Sequence, residues 1–261
     1  MKKFKVYKIT ILILSLLVIT ETILLFHLWI VRPKKIPKIP PLVKGKIAIV
    51  IDDWGYNLNN LHILKEIQYP LTVSVLPNLN YTKTVAQQAH KMGLEVILHL
   101  PLEPHEKSRL EKDTIMTYMD ESTIKNIVIQ DLLNISYASG VSNHMGSKAT
   151  EDLRTMEIIF RELKKRHLYF LDSLVSPDSI CFDSANKMQL HFAKRDVFLD
   201  NQEEPEYIKG QIEKLKIKAG IEGQAIGIGH DRKTTLEVIK KVMPELEKEG
   251  YKFVFVSQLA R

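Results

Sequence analysis

Eight short, β-branched apolar runs recur along this chain, and most lack the strict alternation of a sheet with one wet face. They occupy 47–51, 71–76, 94–98, 138–142, 168–171, 197–199, 225–228 and 253–256. Strands that are apolar on both sides are buried on both faces, which points to a parallel sheet covered by helices. Amphipathic stretches between them, for example 124–133, 153–165, 206–218 and 235–249, supply those helices. Repeated β-α units of this kind connect by right-handed crossovers. A single (β/α) barrel fits the 216 residues from position 46 onward, with a doubly wound open sheet as the alternative. The glycine-rich phosphate loops of nucleotide-binding α/β proteins are missing, so nucleotide binding has no support.

Six of the eight runs end in a polar, ionisable cluster: Asp52-Asp53, His99, Asn143-His144, Asp172-Ser173, Asp200-Asn201 and His230-Asp231. A single such Asp or Asn commonly caps the next helix or opens a turn. In a barrel, however, the C-terminal ends of the strands converge on one mouth, where catalytic groups sit. Six clusters in that position are hard to ascribe to caps alone. Two or three imidazoles with a carboxylate suit zinc or a similar divalent ion, which activates a water when one coordination position stays open. A second carboxylate could then serve as general base and a further His as the acid. The pair Asp52-Asp53 could supply one ligand and one base. His62, His90, His105, His167 and His191 fall in helical or loop stretches and are read as surface or capping residues. Trp54 and Tyr56 could form an aromatic sugar platform or simply pack at the mouth. Arg195 suits a substrate carboxylate or a helix-end counter-charge, and Asp172 and Asp200 suit either support of a His ligand or capping. The mixed-charge stretch 103–119 reads as a loop over the mouth.

The first 45 residues hold nine Lys or Arg and one acid, Glu21, whereas the remaining 216 carry 28 basic and 30 acidic groups. The overall charge of +6 therefore belongs to the N-terminus, and a nucleic-acid partner is not expected. The 23 residues 9–31 contain no Lys or Arg, and at about 1.5 Å per residue a helix of that length spans roughly 34 Å, enough for a bilayer core. Glu21 opposes insertion by about 2.5–3.5 kcal/mol near mid-span, which the surrounding Ile and Leu offset. The run exceeds a signal-peptide core and no Ala-x-Ala site follows it, so an uncleaved signal anchor is expected rather than a cleaved leader or a buried helix. The expected organisation is a cytoplasmic tail at 1–8, a transmembrane anchor at 9–31, a Pro/Lys-rich linker at 32–45 and the barrel domain at 46–261, placed in the periplasm or another extracytoplasmic space. The single Cys181 excludes an intrachain disulfide and a thiolate zinc cluster.

Seven ordered segments carry a resemblance. They are Ile-Ala-Ile-Val-Ile-Asp-Asp-Trp-Gly at 47–55, Pro-Leu-Thr-Val-Ser-Val-Leu-Pro at 70–77, the stretch 89–104 around His99, Asn-His-Met-Gly-Ser at 143–147, Phe-Leu-Asp-Ser at 170–173, Phe-Leu-Asp-Asn at 198–201 and Ala-Ile-Gly-Ile-Gly-His at 225–230. Together they resemble the divergent polysaccharide deacetylase family over essentially 46–261. The resemblance implies a distorted seven-stranded (β/α) barrel, preceded here by one N-terminal transmembrane helix, with the run at 253–256 as a closing or edge element. It also implies Asp52 as base, Asp53 and His99 as metal ligands, His230 as acid, and a divalent metal, best matched by zinc. Glu103 stands four residues after His99, where better-known relatives have a second His. The third ligand is then Glu103 or His144. His144 is preferred, because a His, His, Asp set is common in metal hydrolases and the Asn143-His144 segment is otherwise unexplained. Asn143, Trp54, Asp172 and Asp200 are expected to support ligands or touch substrate. The activity implied is deacetylation of a cell-envelope polysaccharide. The rival readings are an inactive carbohydrate-binding or scaffold barrel and a glycosidase using two carboxylates such as Asp53 and Asp200.

Overall fold

The structure is a computed structural model that describes residues 2–31 and 43–261. Its chain divides into two compact units, Met1–Pro41 and Leu42–Arg261. The first contains helix α1 (Lys2–Ile30), whose span Lys3–Ile30 is long and apolar enough to cross a membrane. Its Ser and Thr hydroxyls are satisfied within the helix: Thr10 donates to Val6 O, Ser15 to Ile11 O, Thr20 to Leu17 O and Thr22 to Val18 O. Such back-bonding lets a polar side chain sit in an apolar medium without an unmet donor. Most of the expected linker, 32–42, lies outside the described residues; Lys44 and Gly45 already belong to the second unit, where Lys44 N–H donates to Gly250 O.

The second unit is a curled, all-parallel sheet wrapped by helices. Its elements are β1 (Gly45–Trp54), α2 (Leu61–Glu66), β2 (Thr72–Val75), α3 (Thr82–Lys91), β3 (Glu95–Leu102), α4 (Glu121–Asn134), β4 (Ala138–Met145), α5 (Leu153–Lys165), β5 (Tyr169–Asp172), α6 (Cys181–Met188), β6 (Phe192–Lys194), β7 (Val197–Phe198), α7 (Pro205–Glu222), β8 (Gln224–His230), α8 (Lys233–Lys248) and β9 (Tyr251–Phe253). The strands run in the order β6-β5-β4-β3-β2-β1-β8-β7. The two edge strands, β6 and β7, are consecutive in the chain and separated only by Arg195 and Asp196. At no more than about 3.6 Å per residue, so short a link forces the sheet to curl until its edges face each other. Arg195 N–H donates to Asp172 O on one side of the seam and Asp196 N–H to Ile226 O on the other.

The strand count exceeds the seven expected, for two reasons. β6 is too short to stand out in the sequence, and β9 pairs only with the first residues of β1, from Gly45↔Tyr251 to Ile47↔Phe253. β9 is thus an edge element below the barrel, and the chain beyond it sends Val254, Val256 and Leu259 into the interior. Helices α4 and α5 start on carboxylate caps, with Asp120 and Asp152 accepting from Thr123 N and Thr155 N at 2.8 Å.

Period-two alternation divides the core into two layers. Ile47, Ile49 and Ile51 face the helices, as do Val73 and Val75 of β2, Val96 and Leu98 of β3, Val141 of β4 and Phe170 of β5. Ala48, Val50, Ile97, Tyr169, Leu171, Ile226 and Ile228 fill the barrel interior. Continuing each inward series by two residues reaches Asp52, His99, Ser173 and His230, and the inward parity of β4 gives Ser142 and His144. The interior is therefore apolar below and polar at the C-terminal mouth. Near its bottom, the buried Glu95 carboxylate accepts from Thr72 Oγ1 at 2.6 Å, Tyr169 Oη at 3.1 Å and Val256 N at 3.0 Å, which joins the C-terminal segment to the barrel.

Candidate metal centre and active site

Simple alternation would aim Asp52 into the barrel and Asp53 away from it. A bulge prevents this: the β1–β2 register shifts between Ile51 and Trp54, and Asp53 takes φ +66°. A left-handed conformation is uncommon for a non-glycine residue and marks a backbone held by its surroundings. Here it turns the second carboxylate toward the same mouth as the first. Asp53 Oδ1 stands 3.3 Å from His99 Nε2 and 3.2 Å from His144 Nδ1. One donor atom from each of Asp53, His99 and His144 can be chosen so that all lie within 4.8 Å of one another.

Burial pushes the Asp52 carboxyl up from its ordinary range; His99 and His230 pull against this, Asp53 adds to it, and the Ser74 hydroxyl gives a smaller downward pull. Asp53 is only partly buried, and although desolvation pushes it up, its hydrogen bonds to His144 and His99 and their charges outweigh this and hold it well below the usual carboxylate range. The adjacent carboxylates are thereby driven apart, one toward proton acceptance and one toward permanent charge. On the neighbouring strand β8, where His230 is the register partner of Asp52, His230 Nδ1 lies 2.7 Å from Asp200 Oδ1. Burial alone would lower the His230 pKa, but the Asp200 bond and charge, helped by Asp53 and Asp52, raise it overall. Asp231, bonded by Asn60 Nδ2 at 2.9 Å, is raised to about 6 by burial and by the Asp53 charge.

The other expected site residues divide clearly. Glu103 does not join the cluster: its carboxylate accepts from Thr117 N, Thr117 Oγ1 and Lys148 Nζ at 2.6, 2.7 and 2.7 Å. It ties down the loop over the mouth, so charge neutralisation comes from Lys148 rather than from an ion. Trp54 is fully buried among the outward core residues and offers no face to a sugar. Tyr56, by contrast, is half exposed and donates to Glu111 across the mouth. Asp172 accepts from Leu174 N at 2.7 Å and Ser179 Oγ at 2.7 Å, which makes it a turn cap rather than a ligand's partner. Asn143 joins β4 to β5, its Oδ1 accepting from Ser173 N at 2.8 Å. Arg195 donates to Ser173 O and Leu174 O and lies 3.7 Å from the Phe198 ring centroid, a structural brace at the seam. Asp200 does support a histidine, and its second oxygen accepts from His230 N and Thr235 Oγ1. Both oxygens are committed and the side chain is fully buried, so Asp200 lacks the free oxygen a two-carboxylate glycosidase needs. His62, His90, His105, His167 and His191 are all exposed.

Sequence reasoning passed over Ser142, whose Oγ lies 2.8 Å from His99 Nδ1, and Asn60, which holds Asp231. Extending the alternation of β4 inward from Gly140 would have found Ser142; nothing in the sequence marks Asn60.

A parallel barrel whose strand ends bring two histidines, three carboxylates and an Asp-supported histidine to one mouth is the architecture of a polysaccharide deacetylase-like protein. Residues 49–260 match the divergent polysaccharide deacetylase family model, and the chain belongs to that family. It is 35% identical over 206 residues to the uncharacterized protein YibQ of Escherichia coli (strain K12), covering 79% of this chain but 65% of that one, just under two thirds of the relative's length. Among solved structures, the uncharacterized protein ATU2773 from Agrobacterium tumefaciens C58 superposes with a TM-score of 0.78 at 25% identity, covering 83% of this chain and 89% of that one. A structure titled T48 deacetylase with substrate shares the fold at a TM-score of 0.53 and 16% identity, over 82% of this chain and 90% of that one.

Proposed function

We propose that this protein is a membrane-anchored, zinc-dependent hydrolase that removes acetyl groups from a cell-envelope polysaccharide. The observation that carries this reading is the convergence of Asp53, His99 and His144 within 4.8 Å, flanked by Asp52 and by the Asp200-supported His230. The donor set fits a divalent cation. Two imidazoles and one carboxylate are zinc ligands, the low pKa of Asp53 keeps it charged, and His144 Nε2 is buried with no hydrogen-bond partner among the described residues. A bound zinc would act as a Lewis acid on the acetyl carbonyl and lower the pKa of a water beside it.

The chain's own groups carry the protons. Asp52, raised by burial, accepts one from the attacking water as its oxygen bonds to the acetyl carbon. His230, whose protonated form Asp200 favours, donates one to the departing amine or alcohol as the carbon–nitrogen or carbon–oxygen bond breaks. Acetate and the free sugar group are the products. Family membership supports the reaction class, the apolar helix α1 supports anchoring, and the slightly acidic balance of the domain suits a neutral or amino-sugar polymer better than a polyanion.

The test is acetate release from an N-acetylated glucosamine oligomer and from an O-acetylated polysaccharide. Release that is lost on chelation, restored by zinc and reduced about 10²–10⁴-fold in Asp52→Asn is the expected result. Glycan binding without acetate release, indifferent to chelator, would instead support the binding-protein reading.

A further inference from the structure

His99 is 3% exposed, and Ser142 and Ser74 are fully buried. His99 Nδ1 lies 2.8 Å from Ser142 Oγ, which lies 2.8 Å from Ser74 Oγ. Ser74 sits on β2 between Val73 and Val75, the residues paired with Ile51 and Trp54, so it faces the bulge that carries Asp52 and Asp53. Asp52 Oδ1 is itself buried without a hydrogen-bond partner among the described residues. Four buried polar groups from four adjacent strands thus form a row across the floor of the mouth.

The geometry points to a hydroxyl relay in which Ser142, backed by Ser74, is a positioning residue that fixes His99 as an Nε2 metal ligand. This inference rests on the proposed metal centre. An imidazole that coordinates through Nε2 must carry its proton on Nδ1, and a buried N–H needs an acceptor. Ser142 Oγ supplies that acceptor. Its own O–H must then donate onward, and Ser74 Oγ is the group within reach. The Ser74 hydroxyl is then left to turn toward Asp52, whose carboxyl it draws downward. Run in this sense, the row satisfies each buried donor in turn. In the reverse sense, Ser142 would donate to Nδ1 and the imidazole proton would lie on Nε2 against Asp53, 3.3 Å away. The lone pair needed by the cation would then be blocked. The direction of two hydroxyls consequently links the ligand geometry of His99 to the base Asp52, although the serines touch neither metal nor substrate.

A double-mutant cycle on the full-length protein tests this, with zinc affinity read by competition against a chromophoric chelator and folding by thermal melting. Ser142→Ala is expected to weaken zinc binding about 10–100-fold while the melt stays cooperative. Ser74→Ala should weaken it less, and the double variant no more than Ser142→Ala alone, because groups acting in series are not additive. In the zinc-loaded wild type, a slowly exchanging Nδ1 proton of His99 should appear in NMR spectra and vanish in Ser142→Ala. Unchanged affinity in Ser142→Ala, or strictly additive losses, would overturn the relay while leaving the metal centre standing. A wild-type protein that binds no divalent ion would overturn both.

Discussion

At the scale of single residues, the mouth is organised by what stands behind each functional group. His230 is the clearest case, because burial and Asp200 act on it in opposite directions and Asp200 wins. Proton donation needs the imidazolium, which is present below the His230 pKa and lost as pH rises through it. Asp200→Asn removes the opposing charge and leaves burial as the chief influence, so the pKa falls. The alkaline limb of the pH–rate profile should accordingly move to lower pH; a limb that stays in place would mean that another group is the acid. The same pair contributes to stability. Its raised His gives a contribution that is complete below the unfolded value of about 6.5 and lost as pH rises through the folded value. Its lowered Asp gives one that is complete above about 3.9 and lost on acidification. Most of these groups were legible in the sequence, because each follows an apolar run. What was not legible was the reach of each side chain: Glu103 and His144 were both open on paper, with His144 preferred on chemistry alone, and the contacts to Lys148 and Thr117 are what remove the first.

Elements convert those residues into a site through strand parity and one departure from it. Parity places Ser74, His99, Ser142 and His230 inward, and a regular reading of the strands would recover all four. The β1 bulge could not be foreseen, since nothing in Ile-Asp-Asp-Trp announces a left-handed Asp53, and without it one of the two carboxylates would face the helices. The three residues of β6 and the short helix α2 were also missed, being too brief to show a period. Close packing inside the barrel is testable at Gly140 of β4. A Cβ there would stand 2.5 Å from the Tyr169 ring, which cannot retreat because its hydroxyl is bonded to Glu95. Gly140→Ala should cost about 1–3 kcal/mol in denaturant unfolding, and a neutral result would show that the ring has room to move. The loop between β3 and α4 offers a second check. Glu103→Gln weakens its contacts to Thr117 and Lys148, so hydrogen exchange across 105–118 should rise while zinc affinity stays at the wild-type level. A large loss of zinc affinity would return Glu103 to the ligand set.

For the whole molecule, the proposed membrane attachment has two physical sources that an experiment can separate. Two candidates coincide at the N-terminus, the apolar span Lys3–Ile30 and the basic residues that flank it. They differ in physics. Burying a long apolar helix in hydrocarbon does not depend on ionic strength, whereas attraction of lysines to anionic headgroups is screened within a Debye length of about 8 Å at physiological salt and about 3 Å at 1 M. The internally bonded hydroxyls of Thr10, Ser15, Thr20 and Thr22 favour the helix, since little polar surface remains for water to claim. Full-length protein should therefore stay in the membrane fraction through washes with 1 M salt and alkaline carbonate. A chain lacking residues 2–31 keeps Arg32, Lys34, Lys35, Lys38 and Lys44 and so retains five of the nine basic residues of the flank. It should nonetheless partition into the soluble fraction, because the apolar span that would sit in hydrocarbon is gone. Release of the full-length protein by salt alone would assign the attachment to charge and reduce α1 to a passive element.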